Sequence, residues 1–233
     1  DFFYERDIRK PTYYPLVTVI MPCFTEGQVI GTAIESVLPL NYPNYEILVV
    51  DDGSFDITLT AAKKFEEKFR LRVVFQENAG KAQALNRGIS EAVGEFFVCM
   101  DADSVLHKDV LMRSMPYFEK DPQLAAVAGS VLVGNPHNFL TRFQRLEYVI
   151  GLNLYKRAQS FLNMVMIVPG PIGIFRKEAV TKVGGYHSNT FAEDTDLSMR
   201  LLMHGYNIKY CESITAITEA PTDLKSLTTQ RYR

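Results

Sequence analysis

From Leu16 to Asp103 the chain alternates short apolar runs with segments whose apolar residues recur at helical spacing. LVTVIM, YEILVVDD, LRVVFQEN and EFFVCMDAD concentrate β-branched and aromatic residues and predict buried strands. Between them, EGQVIGTAIESVL, TLTAAKKFEEKF and KAQALNRGISEA carry apolar residues three and four positions apart and predict amphipathic helices. Strands and helices in strict alternation argue for an α/β domain with a mostly parallel sheet and helices on both faces. In such sheets ligands gather beyond the carboxyl ends of the strands. The acids stand there too: Asp51 and Asp52 close the second run, and Asp101 and Asp103 close the fourth.

Beyond residue 105 the pattern loosens. DVLMRSMPYFEK reads as a helix, LAAVAGSVLVG as a strand, and NFLTRFQRLEYVIGLNLYKRAQSFL as one long amphipathic helix. MVMIVPGPIGIFR is expected to form two short strands about a Pro/Gly turn. DTDLSMRLLMHG is a helix closed by Gly205, followed by separate strands near NIKYC and ITAIT and a polar helix from about Asp223. No internal repeat or low-complexity segment is evident.

Composition narrows the possibilities. The 233 residues, 47% hydrophobic and 22% charged, suffice for one domain with a substantial core. A formal net charge of −2 leaves no basic footprint for nucleic acid. Cys23, Cys99 and Cys211 are odd in number and widely spaced, which predicts buried reduced thiols and a cytosolic setting. The four histidines form no zinc pattern. No apolar run reads as a membrane span. The start at DFFYERDIRKP and the end at Arg233 predict a piece of a longer protein.

The central question is what needs two carboxylates at the tip of a core strand. A haloacid-dehalogenase-like phosphatase carries a similar strand-end motif, which would make Asp101 a nucleophile, but on its first strand rather than its fourth. A response-regulator receiver would leave the last hundred or so residues unused. GxGxxG and a complete P-loop are both absent. The remaining reading is a metal anchor, because Mg²⁺ or Mn²⁺ is usually held by one or two carboxylates together with phosphate oxygens.

In order, the chain offers VIMPCFTEG, VVDDGS, NAGKAQALNRG, MDADS, VPGPIGIFR, FAEDTDL and QRYR. This series resembles the motifs of inverting glycosyltransferase family 2. It is most similar to the processive membrane synthases of poly-N-acetylglucosamine, hyaluronan, chitin oligomers and cellulose. The resemblance implies a Rossmann-like GT-A fold and transfer of a hexose, with N-acetylglucosamine the first choice, from a UDP-sugar to the non-reducing end of a growing β-linked glycan. It also implies Mn²⁺ or Mg²⁺ as cofactor. The organisation implied is a juxtamembrane lead-in over 1–15 and a GT-A domain over 16–222. That domain has a nucleotide-binding half to residue 105 and an acceptor and catalytic half after it. A C-terminal interface helix over 223–233 follows, ending in QxxR where the family has QxxRW. In the parent protein the domain would sit at the cytoplasmic face of the membrane.

Residue by residue, the resemblance gives Asp194 the role of general base. Asp52 would accept a hydrogen bond from the uracil, with Phe24 and Glu26 around the base. Thr25 departs from the Asn usual in that loop. Lys81 would reach the diphosphate, Asp101 would face the nucleotide, and Asp103, with Asp101, would ligate the metal. Gln230 and Arg233 match QxxR, and Gly170, Gly173 and Glu193 would line the acceptor path. Read without the family, Asp52 is a turn or cap residue, Lys81 is a solvated helix-start lysine, and Glu193 and Asp196 complement a helix dipole. The long helix from Asn138, with its arginines and lysines beside aromatics, reads equally as core-packed or as lying at a membrane surface. Three other functions compete: a non-processive transferase of the same family, the phosphatase, and a silent nucleotide-sugar-binding module.

Overall fold

The computed structural model describes residues 10–66, 70–190 and 192–231. The first half follows the expected alternation: β1 (Val17–Cys23), α1 (Ile30–Val37), β2 (Tyr45–Asp52), α2 (Thr58–Glu66), β3 (Leu71–Gln76), α3 (Lys81–Glu91) and β4 (Phe96–Cys99). The second half adds β5 (Val105–Leu106), α4 (Val110–Lys120), β6 (Leu124–Val133), α5 (Phe139–Glu147), α6 (Tyr155–Phe161), β7 (Gly173–Arg176), α7 (Lys177–Lys182), α8 (Glu193–Met203), β8 (Asn207–Thr218) and α9 (Leu224–Arg231).

All eight strands join one sheet in the order β3-β2-β1-β4-β7-β6-β8-β5. The β3, β2, β1 and β4 pairings are parallel, as is β6 with β8, whereas β7 runs antiparallel to both neighbours. Side-chain alternation divides the core between the two faces of this single α/β domain. Val19 and Met21 of β1, Ile47 and Val49 of β2, and Phe96 and Val98 of β4 join the layer that includes α1 and α4. The intervening Ile20, Leu48, Val50, Phe97 and Cys99 face the layer that includes α3, α7 and α8. Burial on both faces explains why these strands read as continuous apolar runs.

Three expectations are corrected. MVMIVPGPIGIFR yields one strand, β7, and a lone bridge from Met164 to Ile208, because the segment before Gly173 leaves the sheet to cross its edge. NIKYC and ITAIT are one strand of 12 residues, with a register shift opposite Ala128 and Ser130. The long helix is continuous in direction, but Tyr148–Leu154 between α5 and α6 is π-helical. Such widened turns recur at functional sites because they re-aim the side chains that follow. Cys23, Cys99 and Cys211 are free and buried, as expected. Gly205, at φ +80°, ends α8.

Parallel pairing puts the ends of β1, β2, β3 and β4 at one edge. The antiparallel partner β7 then matters: Cys99 pairs with Gly173, so the residues preceding Gly173 arrive where β4 ends. Val168 N–H donates to Ser198 Oγ (3.0 Å), and that hydroxyl donates to the Asp194 carbonyl (2.7 Å). The Val168–Gly170 segment is thereby tied to the first turn of α8.

Candidate active site

The loops beyond β1 and β2 are stitched together. Thr25 N–H donates to Ser54 Oγ (2.9 Å), Glu26 N–H to Thr58 Oγ1 (2.8 Å), and Gly27 N–H to Asp56 Oδ2 (3.1 Å). Thr25 adopts φ +60°, a left-handed conformation that a β-branched residue resists and Asn tolerates. Phe24 beside it is exposed and meets the exposed Phe55 ring edge-on at 5.7 Å. The sequence reading missed Phe55, a lone aromatic in a polar loop with no periodic signal.

Asp52 is buried, and its carboxylate is fully engaged. Oδ1 accepts from Gln76 Nε2 (2.6 Å) and Ala79 N–H (2.9 Å); Oδ2 accepts from Gly80 N–H (2.9 Å) and Asn78 Nδ2 (3.3 Å). A carboxylate has about four lone-pair sites, so Asp52 offers none to an incoming base. The direct uracil contact expected of it is corrected to the shaping of the Asn78–Gly80 turn that launches Lys81. Gly53, at φ +77°, lets the two loops close: a Cβ there would stand 2.7 Å from Asn78 N.

Lys81 opens α3 with its Nζ 2.6 Å from Asp101 Oδ1. Its side chain is 40% exposed overall, but the ammonium lies among carboxylates. Desolvation pulls its pKa down, while Asp101, Asp194 and Glu193 push it up and prevail, so the amine stays charged. Asp101 follows the end of β4, and Asp103 is exposed, accepting from its neighbour Ser104 Oγ (3.1 Å). Partial desolvation and the charge of Asp101 raise the Asp103 pKa, outweighing Ser104 and Lys81.

No cluster of three or more His, Cys, Asp or Glu suited to a metal occurs among the described residues. The acidic pair therefore fits Mg²⁺ or Mn²⁺ only in company with phosphate oxygens, which is how these ions are usually held.

Asp194 sits in the first turn of α8 and accepts a hydrogen bond from Gly170 N–H. Its pKa is pushed up to about 6, first by burial; Lys81 opposes this, Glu193 and Asp101 add to it, and the Gly170 bond opposes it. A Cβ on Gly170 would lie 2.9 Å from Lys81 Nζ, 3.1 Å from Asp194 Oδ2 and 3.4 Å from Asp101 Oδ2. Those three groups, distant in sequence, thus converge on one point kept open by the absence of a side chain. Gly173 does not belong with them. It is buried in β7, where a Cβ would strike Val168 and the Phe175 ring, each at 2.7 Å. Its placement on the acceptor path is corrected to a packing position inside the sheet.

Glu193 lies partly buried beside Asp194. Asp196 accepts from Arg200 Nε (2.9 Å) and Nη2 (2.7 Å), and His187 Nδ1 approaches it at 3.2 Å. It braces α8 through partners rather than serving the helix dipole alone.

At the far end, α9 is drawn towards the acidic pair. Asn138 Nδ2 donates to the Thr222 carbonyl (2.8 Å), Gln144 Nε2 to the Pro221 carbonyl (2.8 Å), and Arg231 pairs with Glu147. Burial raises the Tyr148 pKa against Arg231, and Glu147, Asp103 and Asp101 raise it further, so this phenol lies within electrostatic reach of both acids. The Gln230 side chain and Arg233 lie outside the described residues.

Sequence reasoning also missed Gln76, Asn78 and Asn86, which support the site. Asn86 Nδ2 donates to the Tyr186 carbonyl (2.7 Å), and its Oδ1 accepts from Tyr186 N–H (2.8 Å), locking α3 to the loop after α7.

Comparisons with known proteins agree with this arrangement. The chain is 34% identical over 242 residues to poly-beta-1,6-N-acetyl-D-glucosamine synthase of Staphylococcus aureus, and 32% identical over 218 residues to that of Staphylococcus epidermidis. It is matched over 100% and 93% of its length and spans 59% and 53% of theirs. Among solved structures, it is similar to a mannosyltransferase of Pyrobaculum calidifontis in complex with GDP-Man and Mn²⁺, with a TM-score of 0.75 and 26% identity over 94% of this chain and 61% of that one. S. aureus TarS in complex with UDP-GlcNAc shares the fold at a TM-score of 0.69 and 19% identity, over 89% and 59% of the two chains. The neighbours are GT-A glycosyltransferases, and the sheet and flanking helices described above are that fold. The model of the family described as Glycosyl transferase family 2 matches residues 18–184, and on that match, joined to the fold and the ordered acidic motifs, the chain belongs to glycosyltransferase family 2.

Proposed function

We propose that this chain transfers N-acetylglucosamine from UDP-N-acetylglucosamine to the non-reducing end of a growing β-linked polysaccharide, with inversion at the anomeric carbon. The observation that carries this reading is the convergence of Lys81, Asp101 and Asp194 on Gly170. It sets a cation for the leaving group against a carboxylate whose pKa of about 6 leaves it mostly ionised at neutral pH. The names of the Staphylococcus relatives support the choice of sugar.

The acceptor hydroxyl oxygen attacks the anomeric carbon while its proton passes to an Asp194 carboxylate oxygen. The anomeric carbon–oxygen bond to UDP breaks, and its electron pair leaves with the diphosphate. Lys81 balances that charge, with Arg233 and Gln230 as further contacts carried over from the family. Asp101 and Asp103 would hold Mg²⁺ or Mn²⁺ against the diphosphate; when bound, the ion would offset the negative charge that accumulates there. Phe24 and Phe55 offer exposed rings for the base, and Glu26 stands on the same loop. Gly170 and Glu193 border the acceptor side.

No helix among the described residues is long and apolar enough to cross a membrane. However, α5, the π-helical turn and α6 expose Phe139, Phe143, Leu146, Ile150, Leu154 and Phe161, with Arg142, Arg145 and Arg157 on the same stretch. An exposed apolar stripe with basic neighbours suits the cytoplasmic surface of a membrane.

A donor panel tests the function. UDP-N-acetylglucosamine, UDP-glucose, UDP-glucuronate, UDP-N-acetylgalactosamine and GDP-mannose are compared for nucleotide release with Mn²⁺ or Mg²⁺, on membranes from cells expressing the protein. Release confined to the first donor, with a lengthening product, is expected. Preference for GDP-mannose, single-sugar products, or silence with every donor would overturn the reading.

A further inference from the structure

Lys156 is the buried ionisable group that the reading above leaves unused. It lies in the first turn of α6, directly after the π-helical turn, and is 4% exposed. Its Nζ is buried without a hydrogen-bond partner. Three residues earlier, Asn153 is also buried, with its Oδ1 likewise unpartnered. A donor and an acceptor left unsatisfied together inside a protein are costly, and such groups persist mainly where a ligand or water completes them.

The charges around Lys156 indicate which ligand. Asp194 is the carboxylate that acts on it. Lys81, by contrast, feels Asp101 as well as Asp194. Asp194 therefore stands between two lysines, one on the side of the acidic pair and one on the opposite side. Of the other charged groups nearby, Arg157 on α6 and Glu212 on β8 are paired with each other, and β6 carries none. Burial pulls the Lys156 pKa down to about 8 against the pull of Asp194. The ammonium thus faces the general base from the side away from the leaving group, and the oxygen-rich molecule that belongs on that side is the acceptor saccharide.

The geometry points to Asn153 and Lys156 as the acceptor-positioning pair: the Lys156 ammonium donates to an oxygen of the terminal acceptor sugar, and Asn153 Oδ1 accepts from one of its hydroxyls. Held at both points, that sugar presents its attacking hydroxyl to Asp194. This inference rests on the transfer reaction proposed above. The π-helical turn supplies the structural means, since it alters the phase of the helix between Tyr148, which faces the acidic pair, and Lys156, which faces the base.

The test uses membranes from cells expressing the protein, with UDP-N-acetylglucosamine, Mn²⁺ and a short β-1,6-linked N-acetylglucosamine oligomer as acceptor. In Lys156→Met and Asn153→Leu, the acceptor KM should rise about tenfold, the value of one lost hydrogen bond to a charged or well-placed group. Affinity for UDP with Mn²⁺ should stay within about twofold, as expected for an uncoupled site. Wild-type kcat/KM for the acceptor should fall above about pH 8, as the Lys156 amine loses its proton, and Lys156→Arg should retain activity there. A merely structural role would move neither the KM-against-kcat split nor this basic limb.

Transfer by the wild type with unchanged acceptor KM in both variants would overturn this inference alone. Loss of UDP affinity in Lys156→Met, with acceptor KM preserved, would assign the ammonium to phosphate and overturn it as well. Absence of transfer by the wild type would overturn the proposed function and this inference together.

Discussion

Lys81 Nζ and Asp194 Oδ2 stand 2.9 and 3.1 Å from the position that a Gly170 side chain would occupy. The cation that faces the leaving group and the base that faces the acceptor are therefore held apart by nothing larger than a hydrogen atom. Gly170→Ala should reduce kcat by at least about a hundredfold, because displacing catalytic groups by about 1 Å carries that order of cost. Thermal unfolding should change little, since the methyl displaces ends of side chains in an open cleft. Steady-state kinetics beside a melting curve check both halves; near-normal kcat would show that the convergence is not needed.

Asp194→Asn should abolish transfer while sparing UDP affinity, and it should also stabilise the protein at pH 8. The folded pKa of about 6 lies above the ordinary 3.8, so the stability associated with the protonated group is fully present below 3.8 and lost as pH rises through 6. An amide cannot ionise and avoids that loss, a gain of about 1–3 kcal/mol at pH 8. Denaturant midpoints for both proteins at pH 4 and pH 8 measure it, and an equal difference at both would reject the pKa assignment.

Lys81→Met removes the group that most lowers the Asp194 pKa. The acidic limb of kcat/KM, expected near 6 in the wild type, should move to higher pH in the variant, and UDP should bind about tenfold or more weakly. A pH–rate profile with the limb unmoved would separate Lys81 from Asp194.

Asp103→Ala should remove the metal dependence of UDP binding. In the wild type, EDTA should weaken UDP by about tenfold or more; in the variant, affinity with Mn²⁺ should match affinity without it. Calorimetry with and without Mn²⁺ decides this, and retained stimulation by Mn²⁺ would remove Asp103 from the metal site.

Thr25→Asn should stabilise the fold by about 0.5–1 kcal/mol, because Asn accepts the left-handed backbone that a β-branched residue resists. The Thr25 hydroxyl is also buried without a partner, so its removal forfeits no bond. A rise of a few degrees in the thermal midpoint is the expected result.

Sequence alone determined the elements and the identity of the chemistry. Period-two and helical spacing marked the first four strands and their helices, since those periodicities are imposed by local backbone geometry. The ordered acids at strand ends marked the edge of the sheet where ligands gather. Tertiary structure decided what those residues touch. The antiparallel insertion of β7 between β4 and β6 brought Gly170 over Asp101, and no local pattern encodes a strand order. Asp52 reads as a ligand contact in the motif, but folding surrounds it with four donors from the β3–α3 connection. Gly173, three residues from Gly170, falls inside the sheet because of the same register. Lys156 looked like one of several cations on an amphipathic helix, and only packing buried it, unpaired, opposite Asp194. Periodicity is a property of neighbours along the chain, whereas partnership depends on which distant segments the closed sheet sets side by side.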